Sequence, residues 1–372
     1  MTTLRRHRLS LLVEHMARIA AVGVFGIALG PISVEAQPYA YVTNYFTDDV
    51  SVIDVATNAV VARFAVGWIP LGVAISPFGD FAYVTNNYGN TVSVVDTSTI
   101  RVTATVQVGL GPYGVAVTPG GDFAYVAQSF MGSNSVSVLD TAKRIVVATV
   151  AVGSGPIGVA ITPDGTFVYV ANNRSDTVSV IATATNTVVA SVRVGSGPIG
   201  VAVSPTGDFA YVANWDSDRS GSVSKIDTGS NEVVNTITVG RGASAVAVTS
   251  NGAFAYVSDH GSNTVSAIDT ATDLVVATIP VGASPTWLAL TQAGDFVYVT
   301  NYADSTVSAI ETANNTVVAT VPGFTGPWGV DITPDSAPIA ILSNGSLPNT
   351  PARATTDKSK LNVPVPNGEA IR

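Results

Sequence analysis

Short runs of alternating apolar and polar residues fill most of the chain, separated by Gly, Pro, Asn and Asp, and they return in sets of four. In residues 158–195 the runs are Gly158-Val-Ala-Ile-Thr (A), Phe167-Val-Tyr-Val-Ala (B), Thr177-Val-Ser-Val-Ile (C) and Thr187-Val-Val-Ala-Ser-Val-Arg-Val (D). A period of two residues bounded by turn formers predicts half-buried β-strands. Pro163-Asp-Gly turns A into B, and Asn172-Asn-Arg-Ser-Asp turns B into C.

The set of four is itself repeated. Tyr41, Tyr83, Tyr125, Tyr169, Tyr211, Tyr256 and Tyr298 each open a Tyr-Val-x-x step, at spacings of 42, 42, 44, 42, 45 and 42 residues. Four antiparallel strands per period of about 40–45 residues predict propeller blades, because a solenoid repeat would carry a helix or a parallel strand. Seven periods predict a seven-bladed all-β propeller. The first period begins at a B strand, whereas a last A strand, Gly329-Val-Asp-Ile-Thr, stands near the other end. That strand is therefore expected to complete the first blade beside Tyr39 to Thr43, covering two sheet edges that would otherwise invite aggregation.

These motifs (Tyr-Val-Thr-Asn, Thr-Val-Ser-Val-Ile-Asp, Val-Val-Ala-Thr and Gly-x-x-Pro-x-Gly-Val-Ala-Val-Thr-Pro) resemble the YVTN repeat, a 40-residue β-propeller repeat, over about 300 residues. The resemblance implies a propeller and export, as in periplasmic and surface-layer proteins, and implies little about chemistry because such scaffolds host many activities.

Composition narrows the chemistry. The chain lacks cysteine, which excludes disulfides, thiolate metal sites and cysteine nucleophiles. Of three histidines only His260 lies beyond residue 36, too few for a multi-histidine metal site. The net charge is −9, and residues 37–372 carry 13 basic and 24 acidic side chains, which argues against extensive nucleic-acid binding.

The N-terminus predicts the compartment. A basic stretch, Leu4-Arg5-Arg6-His7-Arg8, precedes an uncharged run from Ile19 to Val34 and the small-residue site Val34-Glu35-Ala36. This is the pattern of a signal peptide cleaved after Ala36, giving a periplasmic or secreted protein. The run is shorter than the roughly 20 residues of a spanning helix, so no transmembrane span is expected in the mature chain. The expected divisions are a signal at 1–36, a propeller at 37–343 and a disordered, proline-containing tail at 344–372. A monomer is expected.

Residues that recur in every period belong to the blade. Phe81, Phe123, Phe167, Phe209, Phe254 and Phe296, with the B-strand tyrosines, are expected between neighbouring blades. Asp54, Asp96, Asp140, Asp227 and Asp269, with Glu311, recur before the C-to-D turn, where a short carboxylate accepts from turn amides.

Departures from the repeat collect in the B-to-C loops and D-to-A connections, which share one face of the disc. Trp68, Trp215, Trp287 and Trp328 all map there, with Tyr45, Phe46, Tyr88, Phe130 and Tyr302. The position after the connection proline reads Leu71, Tyr113, Ile157, Ile199, Ser244, Thr286 and Trp328 around the ring and is expected at the channel mouth. Trp68, Tyr113, Trp215, Arg241, Trp287 and Trp328 are thus the candidate ligand-binding residues. Either they stack against a ligand or they lie on one another and seal the mouth. Arg174, Arg219 and Arg241 mixed with several aspartates suit a polar, neutral or zwitterionic ligand or a protein partner.

Asp216, Asp218 and Ser220 spell the first half of a calcium loop without its later ligands, so no cofactor other than calcium is a candidate. No nucleophile elbow, metalloprotease helix, phosphate loop or dinucleotide fingerprint occurs in the repeats. The sequence therefore favours a non-catalytic binding or scaffold protein. A hydrolase resembling the 6-phosphogluconolactonases and a surface-layer module are the alternatives.

Overall fold

The computed structural model describes residues 38–130, 132–216 and 220–335. The expected signal segment, the expected tail, and Asp218 and Arg219 lie outside the described residues. Twenty-eight strands and no helix are found among those described. The strands form seven four-stranded sheets, each antiparallel throughout. Blade 1 consists of β28 (Pro327–Ile332), β1 (Tyr39–Asn44), β2 (Asp49–Asp54) and β3 (Ala59–Ala65), hydrogen-bonded in that order. Blades 2 to 7 each run through four consecutive strands, spanning 70–107, 112–151, 156–193, 198–238, 243–280 and 285–322.

The closure expected from the sequence is present. Ala40, Tyr41 and Val42 of β1 pair with Ile332, Asp331 and Val330 of β28. The Tyr39 amide donates to Thr333 Oγ1 at 2.8 Å, and Thr333 N returns a bond to the Tyr39 carbonyl. The ring is closed by main-chain hydrogen bonds between two ends of the propeller, so its stability depends on both.

Alternation places B- and C-strand valines, with the repeated tyrosines, between sheets. The tyrosines are 0–2% exposed and anchor the clusters that join one blade to the next. The matching phenylalanines are different: they pack at the cluster margins, and Phe123 is 37% exposed. Each opens its B strand where the sheet meets solvent, so only one side of the ring is covered.

Three polar devices recur. At the end of strand B an amide is buried, and its Nδ2 donates to two hydroxyls of the same blade, as Asn86 does to Thr91 and Ser93 at 3.0 and 2.9 Å. In the C-to-D turn an asparagine in the left-handed region, such as Asn58 at φ 53°, accepts from the tyrosine of the preceding blade. The same bond joins Tyr125 to Asn186, Tyr169 to Asn231 and Tyr256 to Asn315. The recurrent aspartates take the third role as expected: Asp54 Oδ1 accepts from the amides of Ala56 and Thr57, and Asp269 from those of Ala271 and Thr272.

Innermost A strands approach one another closely. A Cβ on Gly72 would lie 2.3 Å from the Tyr113 carbonyl oxygen of the next blade, so only glycine fits. The Thr85 hydroxyl bonds that same oxygen at 2.6 Å, and Thr300 holds the Trp328 carbonyl in the same way. Side chains at the channel mouth are thereby set on a fixed backbone.

Candidate functional site

B-to-C loops and D-to-A connections meet on one face, as expected. Amides at the start of each loop donate to carbonyls of the preceding connection, as Tyr45 N does to Gly326 O and His260 N to Gly242 O. Acidic and amide side chains staple the same elements: Asp48 Oδ1 accepts from Ile69 N at 2.7 Å and Asp176 Oδ1 from Gly197 N at 2.9 Å. Asp304 Oδ2 accepts from Ala283 N at 2.6 Å. Several carboxylates that read as ligand groups in the sequence thus fix loop geometry.

At the centre of this face the mouth residues fill the channel. Leu71, Tyr113, Ile157, Ile199 and Trp328 form one buried cluster with Tyr45 and Ile69, and Trp215, Trp287 and Tyr302 pack against it. Trp328 is its hub. Its ring lies 5.4 Å from Tyr302 at 84°, 6.1 Å from Tyr113 at 72° and 6.0 Å from Tyr45 at 34°. Burial pushes the Tyr113 phenol far above its ordinary pKa, so it stays neutral.

A pocket remains beside this plug, with a volume of about 20 Å³, room for one or two water-sized groups. Tyr113, Trp215, Trp287 and Trp328 wall it, with His260 and Ile199, while Ser244 and Thr286 complete the lining. The Trp215 and His260 rings are 4.8 Å apart at 45°. Burial lowers the His260 pKa to about 4, leaving the imidazole uncharged at neutral pH. Both hydroxyls are engaged with main chain: Ser244 Oγ contacts the Thr286 carbonyl at 2.8 Å and Thr286 Oγ1 the Trp328 carbonyl at 3.1 Å.

Among the described residues neither an orienting carboxylate nor a nucleophile is hydrogen-bonded to the His260 ring, and the Ser262 hydroxyl oxygen accepts from Arg241 N instead. The adjacent Asp259 is fully buried and accepts from Thr264 Oγ1 at 3.1 Å and Ser266 Oγ at 2.7 Å. Burial raises its pKa to about 6 against these opposing bonds. It occupies the site of the repeated buried amide, with the hydrogen bonds reversed in direction.

Two candidate residues stand apart from the pocket. Trp68 is 42% exposed and stacks on Tyr88 at 6.2 Å and 22°, while its neighbour Ile69 turns inward to the cluster. Arg241 is exposed, and so is Arg174. Phe46, Trp68, Tyr88 and Leu110, each 38–50% exposed, follow one another in the loops and connections of blades 1 to 3. The equivalent positions of later blades are polar or small, among them Ser154, Arg174, Ser196, Arg241, Gly261 and Ala283. The exposed apolar side chains therefore occupy one sector of the face.

Asp216, at φ 37°, and Ser220 flank undescribed residues, so the calcium loop as a unit lies outside the described residues. Among the described residues no group of three or more His, Cys, Asp or Glu side chains gathers in a metal-binding arrangement. No described helix is long and apolar enough to cross a membrane.

The sequence profile of the YNCE-like beta-propellers matches residues 19–339. The chain belongs to this family. Among solved structures, this YNCE-like propeller is similar to Kuenenia stuttgartiensis hydrazine synthase, at 26% identity and a TM-score of 0.67, over 72% of this chain and 90% of that one. It is also similar to a functionally unknown protein from Desulfotomaculum acetoxidans, at 18% identity and a TM-score of 0.72, over 80% and 99% of the respective chains; this second likeness concerns the fold alone. No curated protein matches the sequence.

Proposed function

We propose that this YNCE-like propeller is an exported, non-catalytic binding protein of the YVTN-repeat type that recognises its ligand or partner on the B-to-C face. The observation that carries the reading is the convergence of four aromatic side chains from blades 1, 3, 5 and 7 on one pocket. Repeat packing alone does not call for it, because at the positions of Tyr113, Trp287 and Trp328 the other blades carry small or aliphatic residues. Aromatic surface lining a concave space suits recognition without bond breaking. The N-terminal sequence supports export.

Catalysis is the second reading. It draws on His260, neutral and at the pocket wall, and on the likeness to hydrazine synthase, a protein named for an enzymatic activity. A lactonase-like site would also need a basic, phosphate-accepting mouth and a group orienting the base. Arg174 and Arg241 are absent from the pocket wall, and neither His260 ring nitrogen is hydrogen-bonded to a described residue.

Titrating the full chain with a panel of neutral, zwitterionic and charged small molecules, while assaying lactone and ester turnover, separates the two. Saturable tryptophan-fluorescence changes that Trp215→Leu abolishes, without turnover, are expected. Turnover that disappears in His260→Gln would replace binding with catalysis.

A further inference from the structure

The exposed arc of Phe46, Trp68, Tyr88 and Leu110 lies outside the pocket, and its occupant is independent of the ligand reading above. We propose that this arc docks a segment of the same chain, Leu361-Asn-Val-Pro-Val-Pro366, laid across it as an extended apolar strip.

The chemistry of the arc selects this occupant. Its four side chains are 38–50% exposed in blades 1 to 3. Trp68 and Tyr88 stack at 22° and present flat apolar surface side by side. Aromatic surfaces of this kind suit proline-rich segments, whose fixed φ keeps the ordering cost of docking low. Pro364 and Pro366 also bias Val363 and Val365 toward extended backbone. The other exposed apolar side chains are of a different type. Val147, Val189 and Val276 are aliphatic and sit at β-bulges of outer strands, which turn those edges away from pairing.

Length and starting point permit the contact. The Asp335 amide donates to Gln292 Oε1 in an A-to-B turn of blade 7, so residues 336–372 depart from the face opposite the arc. From Asp335 to Leu361 the chain advances 26 residues, which span up to roughly 85 Å when extended. A six-residue strand separates the two faces by only about 20 Å. The way around the ring is short as well, because β28 belongs to blade 1 and the arc begins there.

Charge favours the same pairing. Residues 37–335 carry 9 basic and 22 acidic side chains, whereas residues 336–372 carry 4 basic and 2 acidic ones. Arg353, Lys358 and Lys360 precede the apolar run, and Asp48 and Asp49 follow Phe46 in blade 1. Arg63 of blade 1 donates its guanidinium to the Gly323 carbonyl, and Arg174 and Arg193 belong to blade 4. A second copy of the chain is the competing occupant. The four side chains together expose on the order of 350 Å², well below the roughly 800 Å² per partner of a stable dimer. A six-residue strip matches that area.

The chain has no cysteine, so a thiol pair introduced into the full chain reports this contact alone. Leu110→Cys with Val365→Cys is compared with Phe78→Cys with Val365→Cys under mild oxidation, the products being separated by non-reducing electrophoresis. Phe78 is 65% exposed in an A-to-B turn, on the face from which residues 336–372 depart. Intramolecular closure is expected to be at least tenfold faster for the Leu110 pair. Adding Trp68→Ala and Tyr88→Ala, or Pro364→Gly and Pro366→Gly, should slow that pair at least fivefold and leave the Phe78 pair unchanged. Thermal melts of each variant establish that the ring is intact. Equal rates, a faster Phe78 pair, or no closure at Leu110 overturns the proposal. Dimeric product at Leu110 also overturns it and assigns the arc to a second copy. None of these outcomes bears on the pocket, whose ligand titration stands by itself.

Discussion

The Tyr298 phenol donates a 2.6 Å hydrogen bond to Asn58 Oδ1, 240 positions earlier in the chain. It joins the last blade to the first with the same contact that joins blades 3 to 4, 4 to 5 and 6 to 7. Removing the hydroxyl leaves the asparagine oxygen in a partly buried turn without that donor. Tyr298→Phe is expected to cost about 1 kcal/mol and lower the melting temperature by about 2 °C. Tyr41→Phe is the internal control, since Ile100 stands where its asparagine partner would be and its phenol reaches only the Thr97 carbonyl at 3.5 Å. Calorimetry should show a clearly smaller loss for that variant.

Between blades 5 and 6 the recurrent contact is replaced by an ion pair. Lys225 Nζ lies 2.8 Å from Asp273 Oδ1 and 3.0 Å from the Thr270 carbonyl, and 4.5 Å from the centre of the Phe209 ring. Equivalent positions carry Val52, Val94, Val138 or Val180 opposite the tyrosine, and an asparagine in most turns. Lys225→Ala should destabilise by about 3 kcal/mol, because Asp273 loses its cationic partner and keeps only the Asn235 amide, and the lysine stem leaves a gap. Lys225→Val combined with Asp273→Asn restores the repeat, allowing Tyr211 to donate to the amide. Denaturant titration of the double variant is expected to give wild-type stability or better.

Asp259 predicts a pH dependence. Its folded pKa of about 6 lies above its ordinary value, so the native chain retains a proton that the unfolded chain has released. Stability contributed by the protonated form is present near pH 4 and lost as pH rises through about 6. Asp259→Asn supplies the asparagine found in five other blades, able to donate to Thr264 and Ser266. Relative to wild type it should gain on the order of 2 kcal/mol between pH 4 and 7. His260 has the opposite sign, since its stabilisation is present above about pH 6.5 and lost as pH falls toward about 4. Only the difference between wild type and variant, measured by denaturant titration across this range, therefore isolates Asp259.

Closure gives the largest effect. Ending the chain after Gly326 removes β28 and with it the burial of Trp328, Val330 and Ile332. It also exposes the inner edge of β1. At roughly 2 kcal/mol for each buried side chain, the loss should exceed about 5 kcal/mol. A melt unchanged from the full chain would mean that the ring does not rely on this strand.

Blade count, strand order, closure and the aspartate turns were legible because each depends on backbone periodicity or a local turn. The shared face of the loops and connections was legible for the same reason. Pocket membership was not. Trp68 and Ile69 are neighbours in one connection, yet one stacks outward on Tyr88 and the other is buried in the plug. Tyr45 and Phe46 diverge similarly, at 2% and 38% exposure. Loop residues lack the fixed alternation of a strand, so their side-chain directions follow from individual backbone angles. The tyrosine–asparagine bonds were missed for another reason: their partners are 59–62 positions apart where blades are consecutive, and neither residue is unusual within its own repeat. A signal was present in the sequence, in that the turn asparagine fails at Ile100, Arg144 and Asp273.

The placement of Phe46, Trp68, Tyr88 and Leu110 in one sector has a consequence for symmetry. Seven nearly identical blades would offer a partner seven interchangeable rotational settings about the channel axis, dividing any encounter among equivalent poses. With apolar side chains on one arc and Arg174 and Arg241 on another, the disc acquires a north and a south. Any molecule docking on this face would meet a single azimuth, because the ring, though built by repetition, presents an oriented surface.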